Sequence, residues 1–168
     1  MLRITKAEDQ AVRLVMRLAA SGRQMTLGQL AECESLPEPT VAKLLGQLRR
    51  GGVVEAIRGR HGGYVLAGAP EDISAGLVLR SLGSDPAPDH PCAADPSNGG
   101  DCPRTEDCGL RAVWRHLQHQ VSALLENTSI ADLLRVEKSV GGHLEQLWPS
   151  EALDQHRPGA DRALTEGA

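Results

Sequence analysis

Residues 26–66, TLGQLAECESLPEPTVAKLLGQLRRGGVVEAIRGRHGGYVL, decide the fold of this chain. A capping-box pattern at Thr26-Leu27-Gly28-Gln29 predicts a short helix that stops near Glu34. After a tight turn at 34–37, a second helix is predicted over 38–50, because apolar residues recur there at helical spacing: Val41, Leu44, Leu45 and Leu48. Gly51-Gly52 is expected to end this helix, since glycine best tolerates a left-handed cap. The stretch therefore predicts two short helices joined by a tight turn.

A β-hairpin with a basic tip is predicted directly after the helix pair. Residues 53–57 are rich in strand formers, and residues 64–66 supply the second strand. Gly62-Gly63 is expected to let the backbone turn sharply and approach a surface closely. The tip carries three basic or potentially basic side chains for which we find no packing role. A helix-turn-helix followed by such a hairpin, or wing, predicts a DNA-binding unit.

Five residues of this unit are predicted to contact DNA: Thr40, Lys43, Arg58, Arg60 and His61. The first two lie near the start of the second helix, where a helix-turn-helix meets base edges and phosphates of the major groove. The other three lie at the wing tip and suit a narrow, electronegative groove or the backbone. Glu38 is assigned to the helix dipole instead, because a carboxylate repels phosphate. A helix pair without a wing would more often be scaffold, so the wing decides this interpretation.

Further helices are predicted on both sides of the DNA-binding unit. Thr5-Lys6-Ala7-Glu8 repeats the capping-box pattern and begins a helix that ends at Ser21-Gly22, and another helix is predicted over 74–82. A helix of about six turns begins near Leu110. An apolar stripe follows its length: Leu110, Val113, Trp114, Leu117, Val121, Leu124 and Leu125. A last short helix is expected over 129–134.

The sequence therefore predicts a mainly α protein, a winged helix-turn-helix domain with a long C-terminal dimerisation helix. Its predicted parts are a DNA-binding domain at 1–84, a cysteine-bearing cluster loop at 85–109, the dimerisation helix with a short cap helix at 110–134, and a polar, disordered tail at 135–168. A long helix with an apolar stripe needs a partner, and a homodimer supplies one.

Composition and charge limit the kind of core that the chain can form and indicate which half of it contacts DNA. With no Phe, one Tyr and two Trp, the core must be aliphatic. The net charge of -4 is unevenly divided, because residues 1–84 carry 11 Lys and Arg against 8 Asp and Glu, and residues 85–168 carry 7 against 14. Contacts with phosphate are therefore expected in the first half. No secretory leader or membrane-spanning stretch is recognisable, which predicts a cytoplasmic protein without a membrane partner.

Three of the four cysteines cluster as Cys92-x9-Cys102-x5-Cys108 in a polar region. In a reducing compartment this clustering indicates metal or redox chemistry rather than disulfides. Structural zinc sites prefer ligand pairs about two to four residues apart, whereas thiolates on a long loop are the usual ligands of iron-sulfur clusters. The local candidates for the open coordination site are His90, Asp89, Asp101 and Asp107. Cys33 stands apart and is predicted to be a small buried side chain.

Taken together, the wing and the cysteines resemble those of the Rrf-type iron-sulfur transcription regulators, the family with IscR-like and NsrR-like branches. The resemblance covers residues 1 to about 134, and its most specific segments besides the spaced cysteines are Arg3-Ile4-Thr5-Lys6, RGRHGGYVL at 58–66, Cys108-Gly109-Leu110-Arg111 and SIADLL at 129–134. It implies a homodimer with crossed long helices, a cluster near the dimer interface, and a palindromic or near-palindromic operator in double-stranded DNA.

The residues after the third cysteine are similar to the NsrR-like branch. IscR-like members carry a His three residues after that cysteine, where this chain has Arg111. The resemblance implies a 4Fe-4S cluster, with 2Fe-2S as the alternative, completed by a carboxylate from the first helix of the other subunit. Aligning Thr5-Lys6 with that branch carries this carboxylate onto Asp9. Glu8, which is one residue out of register and has a capping role, and His90 are the weaker candidates.

The sequence thus predicts a non-enzymatic transcription repressor whose operator binding is switched by a cluster on Cys92, Cys102, Cys108 and Asp9. The implied signals are nitric oxide, an oxidant, or redox and iron-sulfur status. Two alternatives stay open: a cluster-free regulator that senses thiol oxidation or a small ligand, and a thiol oxidoreductase. The acidic residues around the loop cysteines oppose thiolate formation and disfavour the enzyme.

Overall fold

The computed structural model describes residues 4–60, 62–84 and 109–135. In chain order these residues form α1 (Lys6–Ser21), α2 (Leu27–Glu34), α3 (Glu38–Arg50), β1 (Val54–Ile57), β2 (Gly63–Leu66), α4 (Ala75–Ser81), α5 (Gly109–Asn127) and α6 (Ile130–Leu133). The predicted mainly α winged helix-turn-helix architecture is confirmed. The predicted cluster loop, up to residue 108, and the predicted disordered tail beyond residue 135 lie outside the described residues.

Side-chain caps determine where helices α1, α2 and α6 begin. The hydroxyl of Thr5 accepts a hydrogen bond from the backbone N–H of Glu8, whose carboxylate accepts one from the N–H of Thr5. Thr26 and Gln29 form the same reciprocal pair at α2, with distances of 3.2 and 2.9 Å. Ser129 caps α6 in the same way. The predicted capping boxes of α1 and α2 are confirmed, and each cap residue contributes about 1 kcal/mol.

The core is aliphatic, as predicted. α1 packs against α2, α3, α4 and α6 and against strand β2 of the hairpin. The largest side chains that are fully buried are all aliphatic: Leu14, Leu30, Leu45, Leu48, Ile130, Val15, Val41, Val53, Val54 and Val78. Branched aliphatic side chains can fill the space between short helices at the density of a protein interior, so this chain needs no aromatic centre.

The end of α3 confirms the prediction for the glycine pair and divides its roles. Gly51, the C-cap residue, has an ordinary φ of -80°, and the left-handed residue is Gly52 with φ 74°. A Cβ on Gly51 would lie 2.2 Å from the Cβ of Ser81 in α4. The first glycine therefore permits the contact between α3 and α4, and the second reverses the chain toward β1.

Helix α5 is joined to the rest of the chain at its C-terminal end. Glu126 pairs with Arg80 of α4 and accepts a hydrogen bond from the hydroxyl of Ser74. The N–H of Ala75 donates to the carbonyl of Thr128 at 2.8 Å. No residue of α5 is buried, and four of its apolar residues are 36–61 % exposed: Leu110, Val113, Leu117 and Leu124. The described part of one chain therefore covers the apolar stripe of α5 only in part.

Candidate nucleic-acid interface

The helix-turn-helix consists of α2, a short turn and α3. Ser35 caps α2 in the left-handed conformation, with φ 53° and ψ 44°, and Pro37 precedes the first residue of α3. The N–H of Leu36 donates to the carbonyl of Ala31 at 2.9 Å. The turn thus reverses the chain within three residues, so that the start of α3 is presented next to α2.

The two DNA contacts predicted on α3 lie on its outer side. Lys43 is exposed and Thr40 is half-buried, whereas the core-facing residues of α3 are fully or almost fully buried. Both line an open groove of about 390 Å³ whose other walls are the first turns of α1 and the residues just after α4, including Ser84. Lys43 therefore shares this groove with the first turns of α1.

The wing presents the other predicted contacts. Arg58 and Arg60 are exposed between β1 and β2, and His61 lies outside the described residues. Within residues 4–60, 62–84 and 109–135, neither arginine takes part in an ion pair. Gly59 has φ 128° and supplies the conformation that the turn needs. The two guanidinium groups are thus accessible to a phosphate or a narrow groove.

The glycine pair of the wing allows a sharp turn, as predicted, in which the N–H of Gly62 donates to the carbonyl of Gly59 at 2.9 Å. A Cβ on Gly62 would lie 2.6 Å from the carbonyl oxygen of Ile57, and a Cβ on Gly63 would lie 2.5 Å from that of Met25. Met25 and Tyr64 exchange backbone hydrogen bonds of 3.0 and 2.8 Å. The close approach that these glycines allow is therefore to the chain's own backbone, and it attaches the wing to the segment before α2.

Two neighbouring carboxylates in α1 were predicted as candidate cluster ligands, and they differ in their surroundings. The side chain of Asp9 is 60 % exposed, and its nearest charged contact is Arg13, with Oδ2 4.0 Å from Nη1. Glu8 is only 8 % exposed and caps α1. Burial raises the pKa of Glu8, but hydrogen bonds from Ser84 and Thr5 outweigh it, so this pKa lies below its ordinary value of 4.5. Glu8 is therefore committed to contacts within the chain.

The remaining predicted ligands, Cys92, Cys102, Cys108 and His90, lie outside the described residues. In the part of the chain that the structure describes, no three His, Cys, Asp or Glu side chains come together as a metal site. Cys33 was predicted to be buried and is exposed, because α2 turns Leu30, Ala31 and Glu34 toward the core and Cys33 away from it.

Sequence reasoning missed one buried carboxylate. Glu34 is 6 % exposed and pairs with Arg13 and Arg17 of α1. The hydrogen bond and the charge of Glu34 raise the pKa of Arg17. A signal for this cluster exists in the sequence, since Glu34 follows Leu30 by four residues and therefore shares its core-facing side, and Arg13 and Arg17 are likewise four apart.

Comparison with known proteins places these features in a family. The profile of Rrf2, described as iron-dependent transcriptional regulator, matches residues 4–136. The transcriptional repressor NsrR of Streptomyces coelicolor is 32 % identical over 136 residues, which cover 79 % of this chain and 88 % of NsrR.

Solved structures similar to this one include CymR and IscR. CymR, described as the global cysteine regulator of B. subtilis, is 28 % identical with a TM-score of 0.66, over 80 % of this chain and 97 % of CymR. IscR of T. potens is 27 % identical with a TM-score of 0.60, over 79 % of this chain and 86 % of that one. No helix in the described ranges is long and apolar enough to cross a membrane.

Proposed function

Because the chain belongs to the Rrf2 family of iron-dependent transcriptional regulators, we propose that it is a dimeric repressor switched by an iron-sulfur cluster on Cys92, Cys102 and Cys108. That it is a DNA-binding transcriptional regulator and not an enzyme follows from the family. The proposed cofactor is a 4Fe-4S cluster, with 2Fe-2S as the alternative. The proposed signal is nitric oxide, an oxidant or iron-sulfur status. The proposed location of the protein is the cytoplasm, which contains the operator DNA.

The observation that carries the cluster proposal is the set of three spaced cysteines in a chain of an iron-dependent regulator family. The structure adds a contrast between Asp9 and Glu8 that bears on the fourth ligand. Glu8 is buried and holds the start of α1, so removing it from its partners would uncap the helix. Asp9 is exposed and lies 4.0 Å from a half-exposed Arg13. An exposed pair at that distance contributes about 0–1 kcal/mol, so Asp9 can exchange its arginine for another cation at little cost. Of the two candidates, Asp9 is therefore the better ligand.

The donor set fits an iron-sulfur cluster chemically. Three thiolates are soft, charged ligands for iron, and a carboxylate is a harder and weaker fourth ligand. When bound, the cluster would supply iron sites that react with nitric oxide and oxidants. Cys108 directly precedes α5 in the sequence, and Asp9 of the partner subunit lies on α1. Ligation would thus tie the start of one dimerisation helix to the first helix of the other subunit, and loss of ligation would release both.

The same arrangement supports control of DNA binding. Exposure of the apolar residues of α5 to water is unfavourable, and we propose that they pack against α5 of a second copy of the chain. In a dimer, the two α3 helices must meet successive major grooves, about 34 Å apart along the DNA. A small change in the angle between subunits therefore changes this spacing and weakens operator binding.

Anaerobic purification of the full-length protein tests the proposal. We expect a coloured protein with visible charge-transfer absorption and matching iron and sulfide contents, and we expect DNA binding to change when nitric oxide or oxygen destroys that absorption. Cys33→Ala is the matched control, because this exposed cysteine lies on α2 outside the proposed ligand set. A colourless, iron-free protein from anaerobic cells would contradict the cluster.

A cluster-free regulator is the second candidate, and the similarity to CymR, the global cysteine regulator, favours it. In that case the loop cysteines would sense thiol oxidation, or a small ligand would bind instead. The purification separates the two candidates, because the cluster-free protein would be colourless and its DNA binding would still respond to a thiol oxidant or to the ligand.

A further inference from the structure

A buried carboxylate joins the end of α2 to α1. Oε2 of Glu34 lies 2.9 Å from Nε of Arg13, and Oε1 lies 2.7 Å from Nε of Arg17. Arg13 also donates from Nη2 to the backbone carbonyl of Glu34 at 3.3 Å. Glu34 is 6 % exposed, whereas both arginine side chains are about half exposed. A carboxylate that is almost completely buried is stable only beside charged partners. The contacts with both arginines therefore hold the end of α2 in place.

The position of Glu34 gives this cluster a consequence for DNA binding. Glu34 is the last residue of α2, and the next residue, Ser35, has φ 53° and ψ 44°. A left-handed conformation is unfavourable for serine and persists only where the surroundings impose it. The first residue of α3, Glu38, follows three positions later. Whatever holds Ser35 in this conformation therefore sets the direction in which α3 leaves the turn.

The hydrogen bonds at the start of α3 connect it to the turn and not directly to α1. Pro37, the N-cap residue, makes no side-chain cap, and a proline has no N–H to donate. The N–H groups of Ser35 and Leu36 both bond to carbonyls of α2. These two bonds attach Ser35 and Leu36 to α2, so they move with α2 if its end moves. The carbonyl of Pro37 accepts from the N–H groups of Thr40 and Val41, so the start of α3 follows the turn.

We propose that Glu34, held by Arg13 and Arg17, is a positioning residue for DNA readout. It fixes the end of α2 against α1 and thereby keeps Ser35 left-handed and α3 at the angle that base contacts require. Base contacts depend on this angle, whereas phosphate contacts from flexible cations tolerate small rotations. The proposal concerns the DNA-binding unit and does not depend on whether the chain carries a cluster.

Glu34→Gln tests the proposal, because glutamine keeps the size of the side chain and removes the charge. The probes are a DNA duplex that the wild-type protein selects from a random pool and an unselected duplex of equal length. We expect affinity for the selected duplex to fall about 2- to 30-fold, the range of such indirect couplings. Affinity for the unselected duplex should change less than about twofold, since it depends on phosphate contacts. Glu32→Gln, an exposed carboxylate in the same turn of α2, controls for the change in net charge.

A second substitution separates positioning from general loss of stability. Ser35→Gly removes the cost of the left-handed conformation, so Glu34→Gln with Ser35→Gly should recover most of the affinity for the selected duplex. If Glu34→Gln does not fold, Arg17→Ala replaces it, because Arg13 still pairs with Glu34, and it should show the same selective loss. All variants are compared as full-length protein below the onset of thermal unfolding.

Three results would overturn the proposal. Glu34→Gln could bind the selected duplex like the wild type. It could lose affinity for both duplexes equally, which would mean a general structural defect. Ser35→Gly could fail to restore binding, which would mean that Glu34 does not act through the turn.

Discussion

At the scale of single residues, solvent exposure divides the charged side chains into two groups. Arg58 and Arg60 are exposed at the wing tip, where the chain gives them no ion-pair partner within its described parts. Glu8 and Glu34 are buried and hydrogen bonded. The first group is available to a polyanion, and the second holds helices together, so substitutions in the two groups should affect different properties.

Arg58→Ala and Arg60→Ala should each weaken binding to the selected duplex and reduce the slope of log affinity against log salt by about one, since each removes one phosphate or groove contact. Fluorescence anisotropy at several salt concentrations measures both quantities. Arg115→Ala, an exposed arginine on α5, is the control. Wild-type affinity and salt slope in both wing variants would exclude the wing from the interface.

Glu8→Gln should lower stability by about 1 kcal/mol at neutral pH, because hydrogen bonds to a charged acceptor are replaced by bonds to a neutral one. The pKa of Glu8 is below its ordinary value of 4.5 in the folded chain. Its stabilisation is therefore fully present above pH 4.5 and is lost as the pH falls through the lowered pKa. Urea unfolding between pH 7 and 3 should show the wild type and the variant converging in acid. A constant difference at every pH, or the same convergence for the exposed control Glu71→Gln, would contradict this role.

At the scale of elements, α3 and α5 are stabilised differently. α3 buries Val41, Leu44, Leu45 and Leu48 in the core of its own chain. α5 is longer, has an apolar stripe of similar regularity, and buries no residue. A helix whose apolar stripe is largely exposed is unfavourable in water, so α5 should obtain further packing from a second chain.

Leu117→Asp, Val121→Asp and Leu124→Asp should each convert the dimer to monomers, because a carboxylate in the paired apolar stripe would be buried without a partner. Light scattering or sedimentation measures the mass, and binding to the selected duplex should fall in parallel. His119→Asp lies on the opposite side of α5 and should leave the dimer intact. An intact dimer in all three stripe variants would mean that another surface joins the subunits.

At the scale of the whole molecule, the proposed cluster site uses residues of two subunits. The proposed ligand set combines the three cysteines of one subunit with Asp9 of the other subunit. The proposed switch therefore exists only in the dimer. Ligation would connect the two DNA-binding units, which explains why a local chemical event could alter binding to an operator with two half-sites.

Cys92→Ala, Cys102→Ala and Cys108→Ala should each abolish cluster retention, because each removes one of three soft ligands. Asp9→Ala should assemble a cluster that is lost faster on exposure to oxygen or nitric oxide, since the carboxylate is the weaker ligand. Iron, sulfide and absorption are measured before and after exposure, with Glu8→Gln as the neighbouring control. If Asp9→Ala matches the wild type while His90→Ala loses the cluster, the ligand from the partner subunit is wrong.

The sequence by itself determined the features that depend on short-range interactions. The capping boxes at Thr5 and Thr26 and the apolar spacing of α3 act within four residues, so they appear in the sequence as directly as in the fold. The exposure of the wing arginines could also be predicted from the sequence, because the residues of the hairpin tip are all polar or glycine.

Only the tertiary structure decided what the buried side of α2 contacts and what the glycines approach. Cys33 was predicted inside because cysteine is usually buried, but the packing of α2 on α1 and α3 places Glu34 there and leaves Cys33 exposed. The partners of Glu34 lie 17 and 21 residues earlier in the chain, and Gly63 lies against Met25. Spacing along the chain places Glu34 on the same side of α2 as Leu30, but it does not tell which residues of other elements Glu34 meets, because the free energy of a buried charge or a close backbone contact depends on which elements meet in space.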